Sequence, residues 1–279
     1  MANISARLSI VKNVFKSVFN LNKKSFLLAN TIPSKISNTQ AIFFSKNLLK
    51  NYTEIINWNR EEIPPLFPYV LSTHIHFELV NDKRFPFSPY GLLHKKEQIW
   101  CKKSLTYNSN WSITAFIETY RILENGIEFD LVSELTIEGE LVWKSTTTAF
   151  KRLKQKERSS KPADTIDTEK GILIDVPAYY GRKYASISNN IDPIHISTFL
   201  AKLQGHKTAI MYGMWAMARS LSEIKEIKYP LNIISYFKAS IPIPSKIVML
   251  KKKEDNVQYI SVYSSDAKVL YAKVEVGMG

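Results

Sequence analysis

The feature that most constrains the fold is an order of elements that occurs twice along the chain. In each half, segments with helical periodicity precede segments in which apolar and polar residues alternate. Alternation with a period of two is typical of a strand with one buried face, and successive strands joined by short turns form antiparallel sheets. The sequence therefore predicts an α+β protein whose second half repeats the arrangement of the first.

The clearest strands lie in the first half. Apolar and polar residues alternate from Trp111 onwards, and the alternation resumes at Ile127, directly after the hairpin signal Asn125-Gly126. A second turn at Gly139 leads into a third alternating segment. A helix is expected before these strands at residues 45–58, followed by a proline-rich interruption. In the second half, strands are expected at residues 171–176, 232–240, 247–251, 257–263 and 269–276.

A charged stretch without apolar periodicity, residues 154–170, separates the two halves and is predicted to be a linker. With 279 residues, the chain is long enough for two domains. Residues 1–36 form a basic extension, and the chain has no acidic residue before Glu54. Such a basic segment can bind nucleic acid, an anionic membrane or an acidic protein, or can serve only as a solubilising arm. Apolar residues recur at helical spacing in its first twenty residues, and because these contain one arginine and mostly lysine, an accessory helix is favoured over a transit peptide.

The composition excludes several classes of protein. A single cysteine, Cys101, excludes an intramolecular disulfide framework and favours a cytoplasmic or organellar location over secretion. The longest apolar stretch, residues 209–218, is too short to span a bilayer. His74 and His76 alternate on an expected strand, but no third ligand accompanies them, so no metal site is predicted.

The residues that point to chemistry lie between Tyr184 and Gly213. Asp192 followed by Pro193 predicts a helix start, because aspartate caps the first N–H groups and proline fits the first helical turn. This helix is expected to run to Gln204. His195 then lies in its first turn, near the loop residue Asn190, where the pair could hold a water molecule. Gly213 is expected near the start of a second helix, where N–H groups can polarise a carbonyl oxygen.

This region resembles the MaoC-like (R)-specific enoyl-thioester hydratases and dehydratases. Their pattern is Tyr, then Ser-Gly-Asp-x-Asn-Pro-Ile-His, then Gly-Met about eighteen residues later. The corresponding segment here reads Tyr184-Ala185-Ser186-Ile187-Ser188-Asn189-Asn190-Ile191-Asp192-Pro193-Ile194-His195, with Gly213-Met214 following. The first half is similar to the non-catalytic half of double hot-dog members through the runs at residues 64–71 and 85–87. The resemblance covers residues 63–276.

The resemblance implies a double hot-dog fold, in which each module packs a long helix against an antiparallel sheet. It implies a non-catalytic module at residues 37–153 and a catalytic module at residues 171–279. It also implies that His195 and the residue at position 190 activate a water molecule, that the Gly213 N–H binds the thioester carbonyl, and that Tyr184 contacts substrate. Asp192 and Pro193 would cap the motif helix.

Three positions depart from the family pattern: Asn189 replaces glycine, Asn190 replaces the catalytic aspartate and Asp192 replaces asparagine. An amide cannot accept a proton as a base, and losing a positioned base typically costs about 10²–10⁴ in rate. Two functions therefore remain open. The chain hydrates trans-2-enoyl thioesters and dehydrates (3R)-3-hydroxyacyl thioesters, or it binds acyl thioesters without turnover.

The expected partners follow from that resemblance. They are acyl-coenzyme A or acyl–acyl carrier protein, with no cofactor, no nucleic acid and possible assembly as a homodimer. An acyl carrier protein is acidic, so the net charge of +13 suits it.

Overall fold

The computed structural model describes residues 37–89, 91–107, 110–153 and 170–279. The basic extension predicted at residues 1–36 lies outside the described residues, as does all but the last residue of the linker predicted at 154–170. The residue boundaries of the two modules therefore stay a prediction.

Among its described residues, the first half contains two helices and five strands. Ser45 starts the first helix, since its side chain accepts the N–H of Leu48. The proline-rich stretch, expected to interrupt regular structure, also begins a second, largely buried helix. Pro68 lies in the first turn of that helix. The elements are β1 (Ser37–Ile42), α1 (Lys46–Ile56), α2 (Phe67–Asn81), β2 (Leu92–Cys101), β3 (Trp111–Leu123), β4 (Gly126–Ile137) and β5 (Glu140–Arg152).

The second half also contains five strands, and its helices lie between the first strand and the other four. The predicted strands are all present, with ends that differ by a few residues. The elements are β6 (Ile172–Val176), α3 (Tyr179–Ser188), α4 (Pro193–Ile196), α5 (Thr198–Leu203), α6 (Gly213–Ser222), β7 (Leu231–Phe237), β8 (Ser245–Glu254), β9 (Val257–Ser264) and β10 (Leu270–Met278).

The strands form one ten-stranded sheet in the order β1-β3-β4-β5-β2-β7-β10-β9-β8-β6, and neighbouring strands are antiparallel. Within each half the strands take the same order, first-third-fourth-fifth-second. The second strands of the two halves, β2 and β7, pair at the centre, with Ile99 opposite Ile233. The repeated α+β arrangement predicted from the sequence is therefore confirmed.

The helices of the two halves share one core. Buried side chains from both halves form a single hydrophobic cluster. The indole N–H of Trp215, on α6, donates to the backbone oxygen of Ile55, on α1, at 2.8 Å. Trp215 is completely buried, so this hydrogen bond joins the two modules inside the core.

Two expectations about individual elements are wrong. The helix expected from Asp192 to Gln204 is broken at Ser197, which has an extended backbone and caps α5 through its hydroxyl. His74 and His76 lie on α2 rather than on a strand. Two strands, β1 and β2, had no counterpart in the sequence prediction. Among the described helices, none is long and apolar enough to cross a membrane.

Candidate active site

The loop between α3 and α4 is shaped by its own polar side chains. Helix α3 ends at Ser188, and Asn189 takes a left-handed conformation with φ of 52°. Asn190 Oδ1 then accepts the backbone N–H of Asp192 at 3.2 Å. Asp192 Oδ1 accepts the N–H of Ile194 at 3.2 Å, so Asp192 caps α4, whose first residue is Pro193. One oxygen of the Asp192 carboxylate is therefore used at the helix start.

The neighbouring groups fix the tautomer of His195. Its Nδ1 lies 2.8 Å from the backbone oxygen of Ile210, and because a carbonyl only accepts, Nδ1 carries the hydrogen. The neutral ring therefore keeps a lone pair on Nε2. The ring stacks on Tyr212 with centroids 3.7 Å apart, and the Tyr212 hydroxyl donates to the backbone oxygen of Asn190. Burial lowers the pKa of His195, against the opposing charge of Asp192, and so favours the neutral imidazole.

Gly213 is the first residue of α6, and its N–H is one of the free donors at a helix N-terminus. Within the described part of the chain, no hydrogen bond takes up this N–H. A Cβ at this position would lie 2.9 Å from the ring of Phe237. Glycine is therefore required for the ring of Phe237 to pack against the start of the helix, beside a donor suited to a developing oxyanion.

Tyr184, on α3, is buried, and its ring centroid lies 4.8 Å from that of Tyr212. Burial raises the pKa of the Tyr184 hydroxyl, so the phenol stays protonated near neutral pH. The structure thus places Tyr184 behind the Tyr212–His195 stack, as part of the wall of the site.

These residues line one cavity of about 570 Å³. Of the six site residues predicted from the sequence, five contribute to its wall: Tyr184, Asn190, Asp192, His195 and Gly213. Pro193 is not part of this wall. A volume of this size accommodates a small organic ligand or an acyl chain.

The other wall of the cavity comes from the first half of the chain and was not predicted. Its residues are distant in sequence from the motif and belong to α2 and to the strands β2, β3 and β5. The principal ones are Tyr69, Leu92, His94, Leu123, Phe150 and Arg152. Phe237 and His206, from the second half, were also missed. The sequence offers no spacing that connects these residues, because tertiary contacts such as the β2–β7 pairing bring the two halves together.

The histidines of α2 bind protein groups. His74 Nε2 lies 2.7 Å from Gln40 Oε1, and His76 Nε2 lies 2.6 Å from Ser133 Oγ. Within the described ranges, no group of three or more His, Cys, Asp or Glu side chains could hold a metal ion.

No protein-family model matches the chain, but proteins of similar sequence and of similar structure are known. The sequence is 26% identical over 175 residues to the 3-hydroxyacyl-thioester dehydratase X of Mycobacterium tuberculosis, and the match spans 61% of each protein. A crystal structure of HtdX from the same organism has a TM-score of 0.75 at 18% identity, over 88% of this chain and 100% of the other. A MaoC-like dehydratase from Phytophthora capsici has a TM-score of 0.70 at 14% identity, over 88% and 95% of the two chains.

The structural likeness at these identities shows the fold. The chain therefore has the double hot-dog fold expected for it, and its resemblance to the MaoC-like dehydratases is confirmed.

Proposed function

We propose that the protein is a hydro-lyase that hydrates trans-2-enoyl thioesters and dehydrates (3R)-3-hydroxyacyl thioesters. The observation that carries this proposal is the neutral His195, whose Nδ1 is held by the Ile210 carbonyl while the ring lines a cavity shared with Gly213. The name of the relative in Mycobacterium tuberculosis supports the same substrate class.

The proposed chemistry uses groups that the site presents. In hydration, Nε2 of His195 takes a proton from water as the water oxygen bonds to C3, and C2 takes up a proton. The thioester oxygen gains negative charge while this happens. The N–H of Gly213, at the positive end of α6, would stabilise that charge. A positioned base of this kind typically contributes about 10²–10⁴ in rate.

Asn190 supports a second candidate function, the binding of acyl thioesters without turnover. Its Oδ1 accepts the N–H of Asp192, which leaves the amide NH₂, a donor, as the remaining polar group. Such a donor can hold a water molecule through the water oxygen but cannot remove a proton from it. A protein that had lost the carboxylate base in this way would keep the cavity and the oxyanion donor.

The carrier of the acyl group is proposed to be coenzyme A or an acyl carrier protein. Three cationic side chains lie on the cavity wall: Lys95, Arg152 and Lys238. They complement the phosphates of coenzyme A as well as the acidic surface of a carrier protein. A cytoplasmic location and assembly as a homodimer complete the proposal, without a cofactor or nucleic acid.

A spectrophotometric assay with crotonyl-CoA and longer trans-2-enoyl-CoA esters tests the proposal, because hydration removes the absorbance of the conjugated thioester. We expect turnover by the wild-type protein and none by the His195→Ala variant. Tight binding of the esters without turnover would favour the binding protein. Neither binding nor turnover with coenzyme A or carrier-protein thioesters would contradict both functions.

A further inference from the structure

An irregularity in strand β2 directs two of its polar side chains to the same side of the sheet. His94 and Glu97 are three residues apart, and in a regular strand such residues point to opposite faces. The pairing of β2 with β5 shifts register between His94 and Lys96, which inserts one extra residue, Lys95. Bulges of this type re-aim side chains and are frequent beside active sites. Because of the bulge, His94 reaches Glu97.

The two side chains form a histidine–carboxylate pair. His94 Nε2 lies 3.0 Å from Glu97 Oε2, which also accepts the hydroxyl of Thr147 at 2.6 Å. Since the carboxylate accepts, Nε2 of His94 carries a hydrogen, and Nδ1 is the nitrogen left for proton exchange. No described residue forms a hydrogen bond with this Nδ1. The side chain of His94 remains 27% exposed and lines the cavity.

The burial of the Glu97 carboxylate is expected to lower the stability of the fold, which is unusual for a residue with a purely structural role. Its side chain is fully buried, and Oε1 has no hydrogen-bond partner among the described residues. Across the central strand pair it lies opposite Ser235, whose hydroxyl is also buried without a partner there. Replacing buried charges by apolar side chains is often neutral or stabilising, so packing alone does not explain this carboxylate. Orienting His94 does explain it.

The pair lies beside the candidate active site, on the opposite wall from His195. The ring of His94 meets the ring of Phe237 edge to face at 4.6 Å, and the Phe237 ring packs against Gly213. A thioester whose carbonyl lies at Gly213 has C2 one bond from the carbonyl carbon. His94 and Gly213 both contact Phe237, so His94 faces the cavity that would hold such a thioester, which His195 lines from α4.

We infer that His94, oriented by Glu97, is the second proton-transferring residue of this cavity, in a site where asparagine at position 190 cannot transfer a proton. The inference rests on the proposed hydro-lyase function. In hydration, His195 Nε2 takes the water proton as the C3–O bond forms, and Nδ1–H of the His94 imidazolium gives its proton to C2. In dehydration, His94 Nδ1 takes the C2 proton, and His195 gives a proton to the departing hydroxyl. After hydration, water in the cavity carries a proton from His195 back to His94, and after dehydration it carries one from His94 to His195.

A double-mutant cycle with positions 94 and 190 tests the inference. Glutamine at position 94 keeps a hydrogen-bond donor for Glu97 but cannot transfer a proton. In the wild-type background, His94→Gln should lower kcat for enoyl-CoA hydration about 100-fold, within the range of general acid–base catalysis, with little change in KM. In the Asn190→Asp background, where a carboxylate is present, the same substitution should cost less than about fivefold. Glu97→Gln should shift the pH profile of the wild type and leave that of His94→Gln unchanged.

His74→Asn is the matched control, because His74 bonds Gln40 outside the cavity and should keep wild-type activity. Thermal unfolding shows whether each variant is folded. If His94→Gln does not fold, His94→Asn takes its place in the cycle. An equal loss of activity in both backgrounds would show that His94 is structural and would overturn the inference while the hydro-lyase function stands. Inactivity of both the wild type and Asn190→Asp would instead overturn the function and the inference together.

Discussion

Position 190 carries an amide where the MaoC-like pattern has a carboxylate, and the loop determines how that amide is presented. With either asparagine or aspartate at position 190, one side-chain oxygen would accept the N–H of Asp192, since Asn190 Oδ1 already accepts it at 3.2 Å. The two side chains therefore differ in their other terminal atom. In asparagine it is a donor, and in aspartate it would be a second acceptor able to take a proton.

Asn190→Asp should accelerate enoyl-CoA hydration at least about tenfold, within the range that a general base supplies. The two side chains are nearly isosteric, so the cap of α4 should survive the change. The test compares steady-state hydration rates of the wild type, Asn190→Asp and Asn190→Asp/His195→Ala. The double variant should be inactive. Equal rates for the wild type and Asn190→Asp would mean that the existing histidines suffice.

The pH dependence of hydration should reflect the environment of His195. The reaction needs its neutral form, and burial lowers its pKa from the ordinary value of 6.5. The neutral form therefore predominates at pH 6.5, and the half-maximal loss of kcat/KM should come only below that value. A pH profile of kcat/KM measures this, since it reports on the free enzyme. An acidic limb centred at or above pH 6.5 would contradict the assignment of His195 as the base.

At the scale of single elements, the sequence predicted those with a clear period and missed those without one. Strands β3, β4 and β5 each contain a stretch in which apolar and polar residues alternate, and the turns at Asn125-Gly126 and Gly139 separate them. In β2 the bulge at Lys95 shifts the alternation by one residue, so that His94 and Glu97 point to the same side of the sheet. A period of two therefore does not fit the whole strand. Helix α2 has buried residues on nearly all sides, which removes the amphipathic stripe that marks a surface helix.

The candidate site was predictable only where its residues are contiguous. Asn190, Asp192 and His195 share one loop and helix start, so local capping rules and the family pattern identify them together. Tyr69 and His94 reach the same cavity from elements more than 90 residues earlier in the chain. Their proximity depends on the β2–β7 pairing, a tertiary contact that no local spacing reveals.

The packing of α3 against α4 yields a prediction at this scale. A Cβ on Gly181 would lie 2.0 Å from the backbone oxygen of His195, so Gly181→Ala requires α4 to move by about an ångström. We expect the substitution to lower kcat/KM about 100-fold, since a displacement of that size typically costs this much. The free energy of unfolding should fall by about 1–3 kcal/mol.

Gly277→Ala is the matched control for Gly181→Ala, because a Cβ on Gly277 meets its nearest atom at 3.9 Å. Kinetics together with urea unfolding of both variants separate loss of geometry from loss of fold. Full activity of Gly181→Ala would show that α4 tolerates the shift and that the position of His195 is not critical.

At the scale of the whole molecule, the modules depend on each other for both core and cavity. The central pair β2–β7 buries Ile99, Cys101, Leu231 and Ile233, each no more than 2% exposed. The hydroxyl of Ser222, at the end of α6, donates to the backbone oxygen of Ile56 at 2.7 Å. A cavity lined by both halves therefore exists only when the two halves are joined.

This dependence predicts the behaviour of the separated halves. Fragments 37–153 and 170–279 would each expose one central strand, with its unpaired backbone groups and apolar side chains, and such edges favour aggregation. We expect neither fragment alone to unfold cooperatively, and we expect the two to form an active complex when co-expressed. The intact chain should show a single unfolding transition.

Thermal unfolding followed by circular dichroism, with size-exclusion chromatography of each fragment, measures the outcome. A chain cut by a protease at a site inserted within residues 154–169 serves as the control, because it keeps both halves and should keep enoyl-CoA hydration. If either fragment melts cooperatively at the temperature of the intact chain, or if the intact chain unfolds in two separate steps, the modules are independent domains. The shared core would then contribute little to the stability of either one, and the central strand pair would act mainly to align the two walls of the cavity.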